Sequence, residues 1–247
     1  MSPVRKSSPS PSRNSSPIAP TKAAAKPLGG VLPLTGNGSA EKVIEVLVGH
    51  DIGHWKKPGG TDKEQLASGE AGPGHHSYGV IYQEIIEKLS KKAPVETVLE
   101  IGVQRGGSLL LWQGLCPAAT VVGIDVDDQI SENVHEALDK ARCEILWGNA
   151  YAEEMVSTVK RIALGGFDLI IDDGPHDLES QKTFLRLYLP LLKKGGVAVI
   201  EDIQDENALD ALEKETGTQY KTQKIDRRNI NGRWDDLMLI IERRALS

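Results

Sequence analysis

The chain has 247 residues, 39% of them apolar, which is enough for one α/β core, and no apolar run approaches the ~20 residues that cross a bilayer. The net charge of −6 is unevenly placed: residues 1–40 hold Arg5, Lys6, Arg13, Lys22 and Lys26 and no acid, so the remainder stands at −11, a poor partner for a nucleic-acid backbone and a better one for a small or sugar-like acceptor. Two cysteines, Cys116 and Cys143, in or beside apolar segments, exclude a disulfide framework and predict a reducing, cytoplasmic setting.

Residues 1–38, rich in Ser, Pro, Ala and Gly, lack the apolar mass to offset chain entropy and predict a disordered tail. Ser8-Pro9, Ser10-Pro11 and Ser16-Pro17 read as compositional filler before they read as proline-directed phosphorylation sites. A basic, acid-free segment also suits an organelle transit peptide, though its prolines oppose the amphipathic helix such a peptide needs.

From Glu41, Val43, Ile44 and Leu47 share a helical face that Gly49 ends. After a Gly-rich polar stretch, Tyr78, Ile81, Tyr82, Ile85, Ile86 and Leu89 recur at helical spacing, so residues 39–94 predict an N-terminal helical cap or lid. From 95 to 247 strand and helix alternate. Strands are expected at 97–103, 120–126, 143–147, 167–172 and 197–202, and helices near 107–115, 131–141, 151–163, 178–193 and 205–216. This alternation predicts an α/β fold with a doubly wound, mostly parallel sheet. The last two strand candidates, 219–225 and 237–242, have Asn231-Gly232 and no helix between them, and should pair antiparallel.

Four strand ends carry chemistry. Val98-Leu-Glu-Ile-Gly-Val-Gln-Arg-Gly-Gly-Ser108 runs a strand into a glycine loop that opens a helix, where Gly102 permits a tight turn and bare glycines let backbone amides approach a ligand. Asp125 ends the next strand and is placed to hydrogen-bond both hydroxyls of a ribose. Phe167-Asp-Leu-Ile-Ile-Asp-Asp-Gly-Pro-His176 and Gly195-Gly-Val-Ala-Val-Ile-Glu-Asp202 end two apolar runs with acids and a histidine. Two carboxylates there suit a hard, oxygen-seeking cation such as Mg²⁺, and His176 reads either as a general base or as a solvated turn residue.

Glu100-x-Gly102-x-x-x-Gly106 with Asp125 resembles the cofactor site of class I S-adenosylmethionine-dependent methyltransferases, which implies a Rossmann-like fold. Ile171-Asp-Asp-Gly-Pro-His176 and Ile200-Glu-Asp202, with Gly60-Thr-Asp-Lys63 and His76-Ser-Tyr78-x-x-x-Tyr82, are similar to the macrocin and mycinamicin type of sugar O-methyltransferase and to related rhamnose O-methyltransferase domains. Pro175 stands where that family usually has serine, and the segment between Lys63 and His76 is longer and richer in glycine.

The resemblance implies that Glu100, Gly102, Gly106, Ser108, Asp125, Asn149, Asp172 and Lys63 serve S-adenosylmethionine, and that Asp173 and Asp202 hold the cation with Glu201 in reserve. His176 would be the base. Asn149 reads equally as an adenine contact and as a turn residue. Tyr78 and Tyr82 read as core packing before substrate stacking, and the arginines between Asp226 and Asp236 as a hairpin tip or as sugar contacts.

The function expected is therefore methylation of a sugar hydroxyl on a glycan or glycosylated metabolite. The alternatives are a catechol-like acceptor, disfavoured by 4% aromatic content, and a non-catalytic binding module with the same fold.

Overall fold

A computed structural model describes residues 34–54, 56–64 and 75–244. Seven strands form one sheet in the order β3-β2-β1-β4-β5-β7-β6. β1 (Thr97–Ile101), β2 (Thr120–Asp125), β3 (Cys143–Trp147), β4 (Phe167–Asp172) and β5 (Leu192–Ile200) run parallel. β7 (Leu237–Arg243) inserts antiparallel between β5 and β6 (Tyr220–Asp226). Strand order reverses between β1 and β4, which opens a crevice at their carboxyl ends where ligands of such sheets sit.

The central strands are rich in Val, Ile and Leu because both faces are covered. Val98, Leu169, Ile171, Val197 and Val199 face a layer made by α1 (Glu41–Gly49), α2 (Gly79–Ser90), α3 (Gly107–Leu115) and α4 (Glu132–Ala137). Leu99, Ile101, Ile170, Ala198 and Ile200 face α5 (Glu153–Ile162), α6 (Leu178–Tyr188) and α7 (Glu206–Glu215).

Several boundaries differ from expectation. α1 and α2, expected as an N-terminal cap or lid, lie on the sheet: Val43, Leu47, Ile81 and Ile85 share one apolar cluster with it, while Ile44 turns outward at 39% exposure. Of the predicted tail, residues 1–33 with their Ser-Pro pairs lie outside the described residues. Residues 34–38 are instead held in place, with Leu34 in the core, its carbonyl accepting from Gln223 Nε2, and Thr35, Gly36 and Gly38 donating to the Glu84 carboxylate. The helix expected at 131–141 stops at Ala137 because Gln113 clamps the backbone of Asp139 from both sides, and the one expected to reach 193 stops at Tyr188, ahead of a short turn containing Pro190. β5 begins at Leu192 rather than 197, with a register shift opposite Phe167 and Leu169 that absorbs Gly195 and Gly196. A single helical turn, α8 (Arg228–Asn231), occupies the connection in which only a hairpin turn was expected.

Candidate active site

The carboxyl ends of β1, β2, β4 and β5 converge on a cavity of about 430 Å³ lined by Gly102, Asp125, Asn149, Asp173, His176 and Asp202 among others. Ladder bonds run past the strand ends and fix these residues: Gly102 N–H donates to Ile124 O, Asp173 N–H to Ile101 O, and Glu201 N–H to Asp172 O. Gly102 has φ +85°, and a Cβ there would lie 1.9 Å from the Asp173 carbonyl oxygen, so the glycine turn and the acid of β4 can meet only without a side chain. Asp125 is oriented by two backbone donors at 2.7 Å, Gln104 N–H to Oδ2 and Val126 N–H to Oδ1.

One oxygen each from Asp173 and Asp202 and one nitrogen from His176 lie within 4.8 Å of one another. His176 Nε2 stands 3.9 Å from Asp173 Oδ1 and 3.8 Å from Asp202 Oδ2, too far for hydrogen bonds. His176 and Asp202 both hold left-handed backbone, φ +61° and +51°. Such conformations cost about 1–3 kcal/mol each and concentrate where function requires them.

Beneath this cluster, Lys63 is buried among acids: its Nζ donates to Asp173 Oδ2 at 2.5 Å and to Glu201 Oε2, and lies 3.6 Å from Glu100 Oε1. Burial works against the ammonium, but Asp173, Glu201 and Glu100 together hold its pKa well above the ordinary lysine value. Burial also pushes Asp173 and Glu201 up, against the pull of Lys63, and carries Glu100 to about 7. The acids outnumber the one ammonium, and this end of the cavity is short of positive charge.

Asp202 behaves differently. Burial alone would raise it, but His76 Nε2 at 3.3 Å, His176, and the Tyr78 hydroxyl donating at 2.7 Å hold it down at about 2. His76 is itself buried; burial opposes its charge, yet Asp202 and Asp236 push it up to about 10.

The expected residues fall into two groups. Gly102, Asp125, Asn149, Asp173, His176 and Asp202 line the cavity, and Ser108 lines a smaller one of about 120 Å³ bounded also by Gly60, Asp62 and Gly102. Asn149 Oδ1 accepts from Tyr151 N–H, so the residue forms a turn while its side chain stays on the cavity wall.

Lys63, Glu100, Asp172 and Gly106, also expected to serve the cofactor, line neither cavity. Lys63 is spent on the acids below. Glu100 accepts from Ser108 Oγ at 2.6 Å, and Asp172 from the Tyr151 hydroxyl at 2.7 Å. Burial, against the Tyr151 bond, moves Asp172 to about 7. Gly106 caps α3 at φ +83°, and a Cβ there would meet Ile130 and Val134 at 2.9 Å.

Glu201, the reserve cation ligand, points away from the cluster, with its oxygens taken by Tyr82 and Lys63. Tyr78 and Tyr82 are fully buried, and their hydroxyls serve Asp202 and Glu201 rather than a substrate. Arg227 and Arg228 bond within the fold, and Arg233 pairs with Asp235 while standing 3.8 Å from Asp62 on the cavity rim.

Residues 99–203, the segment that builds this crevice, match the family described as a methyltransferase domain. Over that segment the chain is similar to a methyltransferase domain. It is 31% identical over 137 residues to the 8-demethyl-8-(2-methoxy-alpha-L-rhamnosyl)-tetracenomycin-C 3'-O-methyltransferase of Streptomyces olivaceus, covering 52% of this chain and 32% of that protein. It is 32% identical over 113 residues to the mycinamicin VI 2''-O-methyltransferase of Micromonospora griseorubida, covering 43% and 27%. The chain thus matches about a third of the length of these relatives.

Among solved structures, the MycE methyltransferase from the mycinamycin biosynthetic pathway, in complex with Mg and SAH, aligns with a TM-score of 0.56 at 19% identity over 82% of this chain and 54% of that one. An O-methyltransferase from Bacillus cereus in complex with SAH aligns with a TM-score of 0.52 at 13% identity over 83% and 92%. Both likenesses concern the fold, and agree with the expected Rossmann-like sheet ending in an antiparallel pair. Asp62, Lys63, His76, Tyr78 and Asp236 all lie outside the matched 99–203 span of the methyltransferase domain. Sequence reasoning gave no role to His76, Asp62 or Asp236; the signal available was the His76-Ser-Tyr78 motif and an acid beside the last strand.

Proposed function

We propose that this chain is an S-adenosylmethionine-dependent, divalent-cation-dependent O-methyltransferase acting on a sugar hydroxyl of a glycan or glycosylated metabolite. One observation carries the reading: Asp173, His176 and Asp202 meet at two neighbouring strand ends in the same cavity as Gly102 and Asp125. The relatives that match by sequence are named as sugar O-methyltransferases, which supports the acceptor class.

The residues fit both implied groups. A bare glycine turn with a two-oxygen acid opposite it suits a nucleoside, and two carboxylates in an acid-rich pocket suit a hard cation. When bound, S-adenosylmethionine would supply the methyl group and a divalent cation would acidify the acceptor hydroxyl.

Asp125 would take the ribose hydroxyls on the lone pairs its backbone donors leave free, and Asn149 would border the base. Asp173 and Asp202 would hold the cation. His176, 30% exposed at its side chain, would accept the acceptor's proton at Nε2, which stands 3.9 Å from Asp173 and 3.8 Å from Asp202. Below them Lys63 keeps Asp173 in place and keeps the buried acids from facing one another uncompensated. Transfer of a labelled methyl group to a sugar acceptor, with and without divalent cation, tests the proposal; label retained entirely in the cofactor would favour a binding module.

A further inference from the structure

We infer that His76, anchored by Asp236, is a positioning residue for Asp202, fixing the carboxylate oxygen that faces Asp173 and His176. The inference rests on the cation reading of that cluster. Both ring nitrogens are engaged: Nδ1 donates to Asp236 Oδ1 at 2.5 Å, and Nε2 lies 3.3 Å from Asp202 Oδ2 and 3.5 Å from Asp62 Oδ2. The ring is stacked on Tyr78, with centroids 4.5 Å apart and planes 18° off parallel, and the Tyr78 hydroxyl holds the other oxygen of the same carboxylate.

The anchor is as fixed as the ring. Asp236 is fully buried, and Ser77 Oγ, next to His76 in sequence, approaches its second oxygen. Its neighbour Leu237 accepts through its carbonyl from Ile203 N–H, beside Asp202, so Asp236 and Asp202 are tied through the backbone while His76 spans them through its ring. Asn231 Nδ2 donates to the carbonyls of His75 and His76 and fastens the connection before β7 to the same segment.

None of His76, Ser77, Asn231 and Asp236 acts on the substrate, yet together they decide how Asp202 meets a cation. Asp202 sits on left-handed backbone just past β5, where a freed carboxylate would swing. With Tyr78 on Oδ1 and His76 on Oδ2, it cannot. Because Asp236 already neutralises the ring in direct contact, removing His76 takes from Asp202 a fixed donor more than a free charge. Two segments outside the methyltransferase match, 75–78 and 227–236, therefore complete the site.

The test is calorimetry on the full chain with Mn²⁺ as the probe ion and S-adenosylhomocysteine titrated separately. His76→Gln should weaken Mn²⁺ binding about 10- to 100-fold, the range for losing a residue that orients a metal ligand, while S-adenosylhomocysteine affinity stays within about twofold. Asp236→Asn, which leaves the ring in place without its anchor, should weaken Mn²⁺ binding in the same direction and serves if His76→Gln does not fold. Unchanged Mn²⁺ affinity in a folded variant, even one with a lowered Tm, would overturn the inference, as would equal loss of both ligands. A wild-type chain that takes up no Mn²⁺ would overturn the cation reading itself.

Discussion

Replacing Lys63 by methionine removes the one ammonium that serves Glu100, Asp173 and Glu201 and keeps a side chain of similar length in a space with 1% exposure. Breaking a buried ion pair by deleting one partner costs about 3–5 kcal/mol, because the remaining charge is left uncompensated. For a chain of this size each kcal/mol lowers Tm by about 2–4 °C, so Lys63→Met should melt roughly 6–20 °C below wild type.

The loss should depend on pH. The folded pKa of Lys63 is raised, so its contribution is fully present below the unfolded value of 10.5 and disappears only as pH rises through the folded one. Glu100, with a folded pKa of about 7 against 4.5, binds protons in the native state that the unfolded chain has released, and its burial therefore costs more as pH rises between those values. Without Lys63 that cost grows and extends upward, since the pull lowering the acids is gone. Thermal denaturation followed by circular dichroism should show a small gap between variant and wild type near about pH 5 and a larger one near about pH 8. A loss below about 2 °C, or one equal at both values, would refute the assignment of Lys63 as their counterion.

Asp125→Ala should weaken S-adenosylhomocysteine binding by about 1.5–3 kcal/mol for each charge-assisted ribose bond removed, read by calorimetry; unchanged affinity would take Asp125 out of the site. His176→Ala should lower kcat by roughly 10² to 10⁴ with cofactor affinity preserved, and near-normal turnover would make it a turn residue. Gly102→Ala drives a Cβ to 1.9 Å from the Asp173 carbonyl and strains φ +85°. Denaturant unfolding should register more than the ~1–3 kcal/mol of backbone strain alone, and a neutral result would mean that the β1 and β4 ends do not touch.

Every strand of the sheet was legible, and most plainly β1, β2, β4 and β5, because buried parallel strands show as apolar runs. The antiparallel ending was legible for another reason: the connection from Ile225 to Leu237 is too short for a crossover helix and holds only the single turn α8. Ends of helices were less so, since they are decided by contacts from elsewhere in the chain, such as Gln113 on Asp139.

In the site, adjacent acids posed the harder problem. Sequence could not separate Glu201 from Asp202, and the answer lies in partners 119 to 138 positions away, Tyr82 and Lys63, which take up Glu201. Likewise Thr61-Asp-Lys63 allowed a surface charge, and the resemblance that favoured a place for Lys63 in the site gave no sign of the three acids folded around it. His76 was visible as a motif residue, but its role depends on Asp236, 160 positions on.

The most direct test is methyl-label transfer from S-adenosylmethionine to a glycan array, run with Mg²⁺ and again with excess EDTA and metal content verified. Label should appear on a sugar hydroxyl, be lost on chelation and be restored by added Mg²⁺. Label that persists without metal, or that appears on a catechol acceptor and on no sugar, would contradict the proposed function.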